Sequence, residues 1–280
     1  MRMRNGAEDV PKPMAMIGER PLIWHVMRYY AHFGHKDFIL CLGYGAAHIS
    51  DFFLHYDETR SNDFVIENGQ VRLIDSDVAD WKITFVHTGL DTAIGERLRR
   101  VRDHLVDEEV FLANYADVLT DAPLDEMIDR FRESDALVSM MAVHPQSAFH
   151  LVDTEPDGHV TDIRSVSTMP LRENGGYFVM RAGLLDELRP GDDLVADTLT
   201  RLSRERRVLA YAHDGFWMPA DTFKERAALE AMAVADQAPW QMWQSSRLTP
   251  SLALMSDPPV VSASGSLRAF ASSGARAESL

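Results

Sequence analysis

Three short, almost unbroken apolar runs, DFILCLGY at 37–44, EVFLANY at 109–115 and DALVSMMAV at 135–143, alternate with segments of helical spacing. That alternation constrains the fold more than any other feature. Continuous apolar strands are those covered on both faces, and strands separated by amphipathic helices predict a parallel α/β core. The helical segments are RPLIWHVMRYYAHF at 20–33, with Leu22, Val26, Tyr29, Tyr30 and Phe33 at helical spacing and Gly34 as a stop, a helix over about 46–55, TAIGERLRRVRDHL at 92–105 and APLDEMIDRFRES at 122–134. FVIENGQVRLI carries Asn68-Gly69 between two apolar runs, the signature of a tight hairpin, and DWKITFVHTG supplies another strand.

After about residue 145 the pattern changes. AFHLVDTEPDGHVTDIRSV predicts two strands joined across Pro156, Asp157 and Gly158, an antiparallel addition to the core. GGYFVM is a further strand, helices are expected at 181–188 and 193–204, and RVLAYAHDGFWM returns to β before a last helix from about Asp221. From about 245 the chain is rich in Ser, Ala and Pro without a sustained period, so one domain is expected over 1–244 and a disordered tail over 245–280. Trp240 and Trp243 are expected to cover the domain itself or a neighbouring subunit in a homo-oligomer.

The formal net charge of −15 argues against a nucleic-acid surface, which has to be basic. No apolar run is long enough to span a bilayer and no secretory leader is legible, so a cytoplasmic protein without a membrane partner is expected. The single cysteine, Cys41, lies within an apolar run, which leaves neither a disulfide framework nor a thiolate metal site.

The candidate chemistry collects around the second run. In FLANYADVLTD, Asp117 ends what reads as a buried strand, and ligands of open parallel sheets bind beyond the strands' carboxyl ends. A carboxylate there suits Mg²⁺, which takes few protein oxygens and shares its shell with phosphate and water; it equally suits a strand end or a helix cap. Asp221, ahead of TFKERAALEAM, has the same two readings. Lys12 stands between Pro11 and Pro13, which stiffen its loop in a way that suits a cation meeting a phosphate, although a solvent-exposed lysine between prolines is also a common surface feature. Asn174, Gly175 and Gly176 read as a turn into a strand or as a place where a ligand approaches the backbone.

Taken in order, PKPMAMIGERPLIWHVMRYYAHFGHKDFILCLGY, HTGLDTAIGERLRRV, FLANYADVLTD, NGGYFVM, GFWMPADTFKE and APWQMW resemble the successive motifs of the sugar-phosphate nucleotidyltransferases, most closely those that join CTP to glucose 1-phosphate. The resemblance spans about residues 2–244. It implies a Rossmann-like, mostly parallel sheet covered by helices, with a small β-rich sugar-binding addition, and transfer of a nucleotidyl group from a nucleoside triphosphate to a sugar 1-phosphate with release of pyrophosphate. It further implies Mg²⁺ on Asp117 and Asp221, phosphate neutralisation by Lys12 and Arg2, nucleotide contacts at Thr92, Arg97 and Ala116, and sugar contacts at Asn174, Gly175 and Gly176.

The sequence departs from the family in four places. MRMRNGAEDVPKPM corresponds to the end of the family's glycine-rich loop, so the glycines and the preceding central strand are expected to be missing. Ala116 and Val118 stand where the family uses small residues or glycine; the β-carbon of Ala116 is tolerable there, whereas Val118 is expected to crowd the ligand. VSTMPLRE at 166–173 replaces the family's Glu-Lys-Pro element, and ADT at 220–222 replaces Met-Asp-Thr. These changes keep open a relative that binds nucleotide and sugar phosphate with impaired catalysis, and a glycosyltransferase that consumes a nucleotide sugar.

Overall fold

The computed structural model describes residues 10–146, 149–245 and 269–272, with Ser245 and the last four by backbone alone. Its core is a seven-stranded sheet. In chain order the strands are β1 (Asp37–Leu42), β2 (Lys82–His87), β3 (Val110–Tyr115), β4 (Val138–Val143), β5 (Glu173–Arg181), β6 (Val208–His213) and β7 (Ala269–Ser272). Across the sheet they run β6-β4-β5-β3-β7-β1-β2. β5 is antiparallel to both neighbours and every other pairing is parallel, which bears out the mostly parallel α/β expectation.

The apolar runs became strands because both of their faces are covered. All six residues of β3 are buried, as are Phe38 to Leu42 of β1. The longer helices are α1 (Leu22–His32), α2 (Ala46–Leu54), α3 (Ile94–Arg100), α4 (Leu124–Arg132) and α5 (Phe223–Val234). α1 starts after the extended Pro21 and stops before Gly34, whose φ of 89° is the left-handed conformation that ends helices. It is buried almost all round, and Trp240 and Trp243 close over it. The indole of Trp240 donates to Nδ1 of His25 at 3.3 Å, and the other ring nitrogen of His25 meets the carbonyl of Ile17 at 2.9 Å. Burial lowers the His25 pKa to about 4, so this imidazole is neutral at pH 7.

The hairpin Phe64–Glu67 with Gln70–Leu73 turns at Asn68 and Gly69, with φ of 53° and 76°, the two positive angles that such a turn needs. His150–Thr154 and Val160–Ser165 form the expected antiparallel addition, a two-stranded arm. A second small ribbon, Val118–Thr120 with Trp217–Pro219, lies beyond the end of β3 and governs the site described below.

Four residues of the expected tail, 269–272, are described, and they are ordered. Ala269–Ser272 is a strand in the middle of the sheet, hydrogen-bonded in parallel to β1 and β3, with Ala269 level with Phe38 and Leu112 and Ser272 level with Cys41 and Tyr115. The physical reason lies in the neighbours. A slot between two buried strands presents two rows of backbone donors and acceptors that must be satisfied, and this demand fixes a strand without any hydrophobic period of its own. The remainder of the expected tail, 246–268 and 273–280, lies outside the described residues.

Candidate active site

β3 delivers Tyr115, Ala116 and Asp117 to the carboxyl edge of the sheet, and Asp117 is only 5% exposed. The ribbon then brings a remote segment alongside. Pro219 pairs with Val118, and the amide of Ala220 donates to the carbonyl of Asp117 at 2.8 Å. Asp221, the next residue, is thereby carried beside Asp117. Two hydroxyls hold the ribbon on the core: Tyr177 donates to the carbonyl of Val118 at 2.8 Å and Tyr29 to that of Ala122 at 2.7 Å.

Neither aspartate is a helix cap. α5 is capped by Thr222, whose hydroxyl accepts from the Glu225 amide at 3.2 Å while the Glu225 carboxylate accepts from the Thr222 amide at 2.7 Å. α4 begins after Pro123 with no side-chain cap. The capping reading of both residues is thus removed, and Asp221 instead accepts from Nζ of Lys12 at 2.8 Å.

Lys12 reaches that position from a single 3₁₀ turn, Lys12–Met14, bounded by Pro11 and Ala15. Gly45, with φ of 69°, abuts this turn so closely that an added β-carbon would lie 2.4 Å from the Pro11 ring. The lysine loop therefore docks on the segment that leaves β1, at the same edge of the sheet. Contact between Pro11 and Gly45 sets the position of the loop that the two prolines bracket.

Asn174 joins this edge through Tyr115. Its amide donates to the Tyr115 hydroxyl at 3.2 Å and its oxygen accepts from the Gly176 amide at 2.9 Å. The register of β5 against β4 shifts between Asn174 and Phe178. Gly176 has φ of 78° and a β-carbon there would meet the Tyr115 ring at 2.7 Å; one on Gly175 would meet the Met141 side chain at 2.7 Å. Gly176 is thus required by its backbone angle and by packing, whereas at Gly175 the movable end of Met141 could give way, and the bulge leaves the backbone of 174–176 irregular.

The loop after β2 lies against the segment that leaves β1, where a β-carbon on Gly43 would meet the Gly89 carbonyl at 2.9 Å. Thr92 donates to the carbonyl of Thr88 at 2.6 Å. Arg97, expected at the nucleotide, is instead 2% exposed and seated beneath this loop. Its guanidinium donates to the Thr88 hydroxyl at 2.6 Å, the Thr92 carbonyl at 3.0 Å and the Leu90 carbonyl at 3.4 Å. The pull is local: a buried cation needs oxygens, and the turn above it offers three. Arg97 shapes the loop that presents Thr92.

Ala116 is 2% exposed, between Tyr115 and Asp117. Val118, expected to crowd the ligand, is wholly buried within the ribbon and takes no space from the cleft. Arg2 lies outside the described residues.

A clamp that the sequence reading did not single out fixes the far end of the ribbon. Oδ1 of Asp121 accepts from the Phe216 amide at 2.8 Å and from Nε2 of His213 at 3.0 Å. Nε2 also faces the Phe216 carbonyl at 3.2 Å, and two acceptors place the proton on that nitrogen. Gly215 sits between them, where a β-carbon would lie 2.6 Å from Asp121. The proximity of HDG at 213–215 to Asp121 has no local signal, because the two are joined only by strand pairing.

No family model matches the chain. Individual relatives do. It is 32% identical to a probable glucose-1-phosphate cytidylyltransferase of Bacillus subtilis over 246 residues, 86% of this chain and 95% of the relative. The chain belongs to the glucose-1-phosphate cytidylyltransferase family. The glucose-1-phosphate cytidylyltransferase of Salmonella typhi is 30% identical over 84% of this chain and 92% of its own length. Among solved structures, a UDP-glucose pyrophosphorylase from Acinetobacter baumannii superposes with a TM-score of 0.59 at 17% identity, over 85% of this chain and 90% of that one. HddC from Yersinia pseudotuberculosis gives 0.57 at 16% identity, over 82% and 93%. The fold is that of the nucleotide-diphospho-sugar transferases, and membership of the family makes the chain a nucleotidyltransferase.

Proposed function

We propose that this member of the cytidylyltransferase family joins CTP to a hexose 1-phosphate, glucose 1-phosphate first among them, giving a CDP-sugar and pyrophosphate. The observation that carries the reading is the convergence of Lys12, Asp117 and Asp221 at the end of β3 from three distant parts of the chain. One oxygen of the sugar phosphate forms a bond to the α-phosphorus of CTP; the bond from that phosphorus to the bridging oxygen breaks, and pyrophosphate leaves with the electron pair. Every partner is an anion, so the protein's task is to hold like charges together in line.

Asp117 and Asp221 fit Mg²⁺. The support is the strand pairing that sets residue 220 against Asp117 through the Ala220 amide, and two carboxylates would leave phosphate and water to complete the shell. When bound, the ion neutralises and orients phosphate oxygens. Lys12 adds a cation on a fixed turn, the loop at 88–92 borders the nucleotide side through Thr92, and Ala116 and the backbone at 174–176 border the substrates on the β3 and β5 side. No protein nucleophile is needed. Cys41 could not act as one, since burial raises its thiol pKa far above the ordinary range. Availability of CTP places such an enzyme in the cytoplasm, and no helix among the described residues is long and apolar enough to cross a membrane.

The test is pyrophosphate release from the full chain with MgCl₂, CTP and glucose 1-phosphate, beside the same assay with Asp117→Asn. Turnover that the substitution removes supports the proposal. Absence of release with all four nucleoside triphosphates across a panel of hexose 1-phosphates overturns it.

A further inference from the structure

Val118 follows Asp117 directly, and the geometry of the ribbon decides where its carbonyl goes. The amide of Ala220 donates to the carbonyl of Asp117 at 2.8 Å and that of Asp121 to the carbonyl of Phe216 at 3.2 Å, so Val118 and Pro219 face each other as a pair that exchanges no hydrogen bonds. The Val118 carbonyl therefore points away from the partner strand. Pro219 has no N–H to offer in any case. Val118 is nonetheless wholly buried, and a buried carbonyl requires a donor. That donor is the Tyr177 hydroxyl, at 2.8 Å.

Tyr177 is held as a fixed strut. It stands in β5 opposite Asn114 of β3, is 2% exposed, and packs its ring on Tyr29 and Tyr30 with centroids 5.5 and 6.0 Å away. Burial pushes its phenol pKa far above the ordinary value, so the hydroxyl keeps the proton that it donates. In the chain it follows Gly176, the last residue of the irregular stretch at 174–176. Two bonds to the main chain thus bracket Asp117. The Ala220 amide ties its carbonyl to the segment that carries Asp221, and Tyr177 ties the next carbonyl to the centre of the sheet.

We propose that Tyr177 is a positioning residue for the reaction: through the Val118 carbonyl its hydroxyl sets where Asp117, and with it Asp221, stands relative to the backbone at 174–176. Tyr177 acts through the main chain and is itself buried. The inference rests on the reading of Asp117 and Asp221 as the metal pair, in which a small misplacement of the carboxylates is costly because the reaction depends on alignment. Tyr29 supplies an internal comparison. Its hydroxyl makes the same kind of bond, to the Ala122 carbonyl at 2.7 Å, from a ring that is also 2% exposed. Ala122, however, lies beyond the clamp that Asp121 makes with Phe216 and His213, which separates it from Asp117.

The experiment compares Tyr177→Phe and Tyr29→Phe with the parent on the full chain, by thermal melting, by calorimetric titration with CTP at graded MgCl₂, and by pyrophosphate release with glucose 1-phosphate. Each variant leaves one buried carbonyl without its donor, so both should melt at similarly lowered temperatures. For Tyr177→Phe the expected result is a rise of about fivefold or more in the MgCl₂ needed for half-maximal CTP binding, and a fall of about tenfold or more in kcat with KM for glucose 1-phosphate within about threefold. For Tyr29→Phe the MgCl₂ requirement and kcat should stay within about twofold of the parent. p-Aminophenylalanine at position 177, which keeps a donor there, should restore the parent's MgCl₂ dependence. An unchanged MgCl₂ dependence in Tyr177→Phe, an equal shift in Tyr29→Phe, or no rescue by the amine overturns the assignment. A shift confined to Tyr177→Phe in CTP binding, with no pyrophosphate released by the parent, sustains the positioning role and overturns the transfer reaction. A parent whose CTP binding is indifferent to MgCl₂ overturns the positioning role together with the metal pair. If Tyr177→Phe does not fold, p-fluorophenylalanine at 177, which fills the space of the hydroxyl with no hydrogen to donate, is read by the same criteria.

Discussion

Lys12 and Asp221, 209 residues apart, meet at 2.8 Å. In the absence of substrate the ammonium neutralises a carboxylate that the proposed metal would occupy, so the pair joins the two charges that the reaction has to redistribute. Both side chains are partly exposed, at 43% and 27%, and such pairs add at most about 1 kcal/mol to stability. Lys12→Met is expected to leave thermal unfolding within about 2 °C of the parent and to lower kcat/KM for pyrophosphate release by about 100-fold or more. A melting curve that collapses together with activity would show a structural lysine instead.

Asp221→Asn is expected to raise the Mg²⁺ concentration for half-maximal turnover by about tenfold, one oxygen donor having been weakened. The measurement is a metal titration at saturating nucleotide. Equal curves for variant and parent would remove Asp221 from the metal site.

Trp217→Phe removes the indole donor to the Gly175 carbonyl while keeping most of the ring. Leaving a buried carbonyl without its partner costs about 1–3 kcal/mol, which urea denaturation would register as a lower midpoint with an unchanged slope. Because the same bond ties the ribbon to the irregular backbone at 174–176, KM for the sugar phosphate should rise more than KM for CTP.

His25 makes stability depend on pH in a stated direction. Its pKa is lowered from 6.5 to about 4 on folding, so between these values the unfolded chain binds the proton that the folded one refuses. Its contribution is complete above about pH 6.5 and is lost as pH falls toward 4, by up to about 3 kcal/mol. His25→Gln should flatten that part of a stability-against-pH curve. An identical slope in the variant would refute the assignment.

Removing 246–280 deletes β7 and leaves β1 and β3 without their common neighbour. The truncated chain is expected to lose its cooperative transition, or to melt more than about 10 °C below the full chain. A calorimetric scan decides, and an unaltered transition would mean that the slot is closed by other means.

The parts of this fold legible in the sequence are those set by local pattern. The unbroken run ending at Tyr115 gave a buried strand and placed Asp117 at its carboxyl end. Asn68-Gly69 gave its hairpin because those two residues tolerate positive φ. What escaped depends on partners remote in the chain. Asp221 looked like a cap because its neighbour Thr222, which takes that role, differs only in hydrogen-bond geometry. Arg97 looked like a ligand contact because nothing local shows a side chain turning under its own loop. Ala269–Ser272 has no period to read, since its place is fixed by the backbone groups of β1 and β3. The Asp121–His213 clamp and the Tyr177–Val118 bond arise from segments that only the ribbon and the β3–β5 pairing bring together.

The seat of β7 bears on how the molecule is made. Translation delivers the other six described strands of the sheet first, so the nascent chain must carry a cleft with two raw flanks until β7 arrives. Those flanks invite a foreign strand from any neighbouring polypeptide on the same message. Yield in a cell should accordingly be governed by how quickly β7 is captured, and slower translation near its codons would favour inclusion bodies over the finished enzyme.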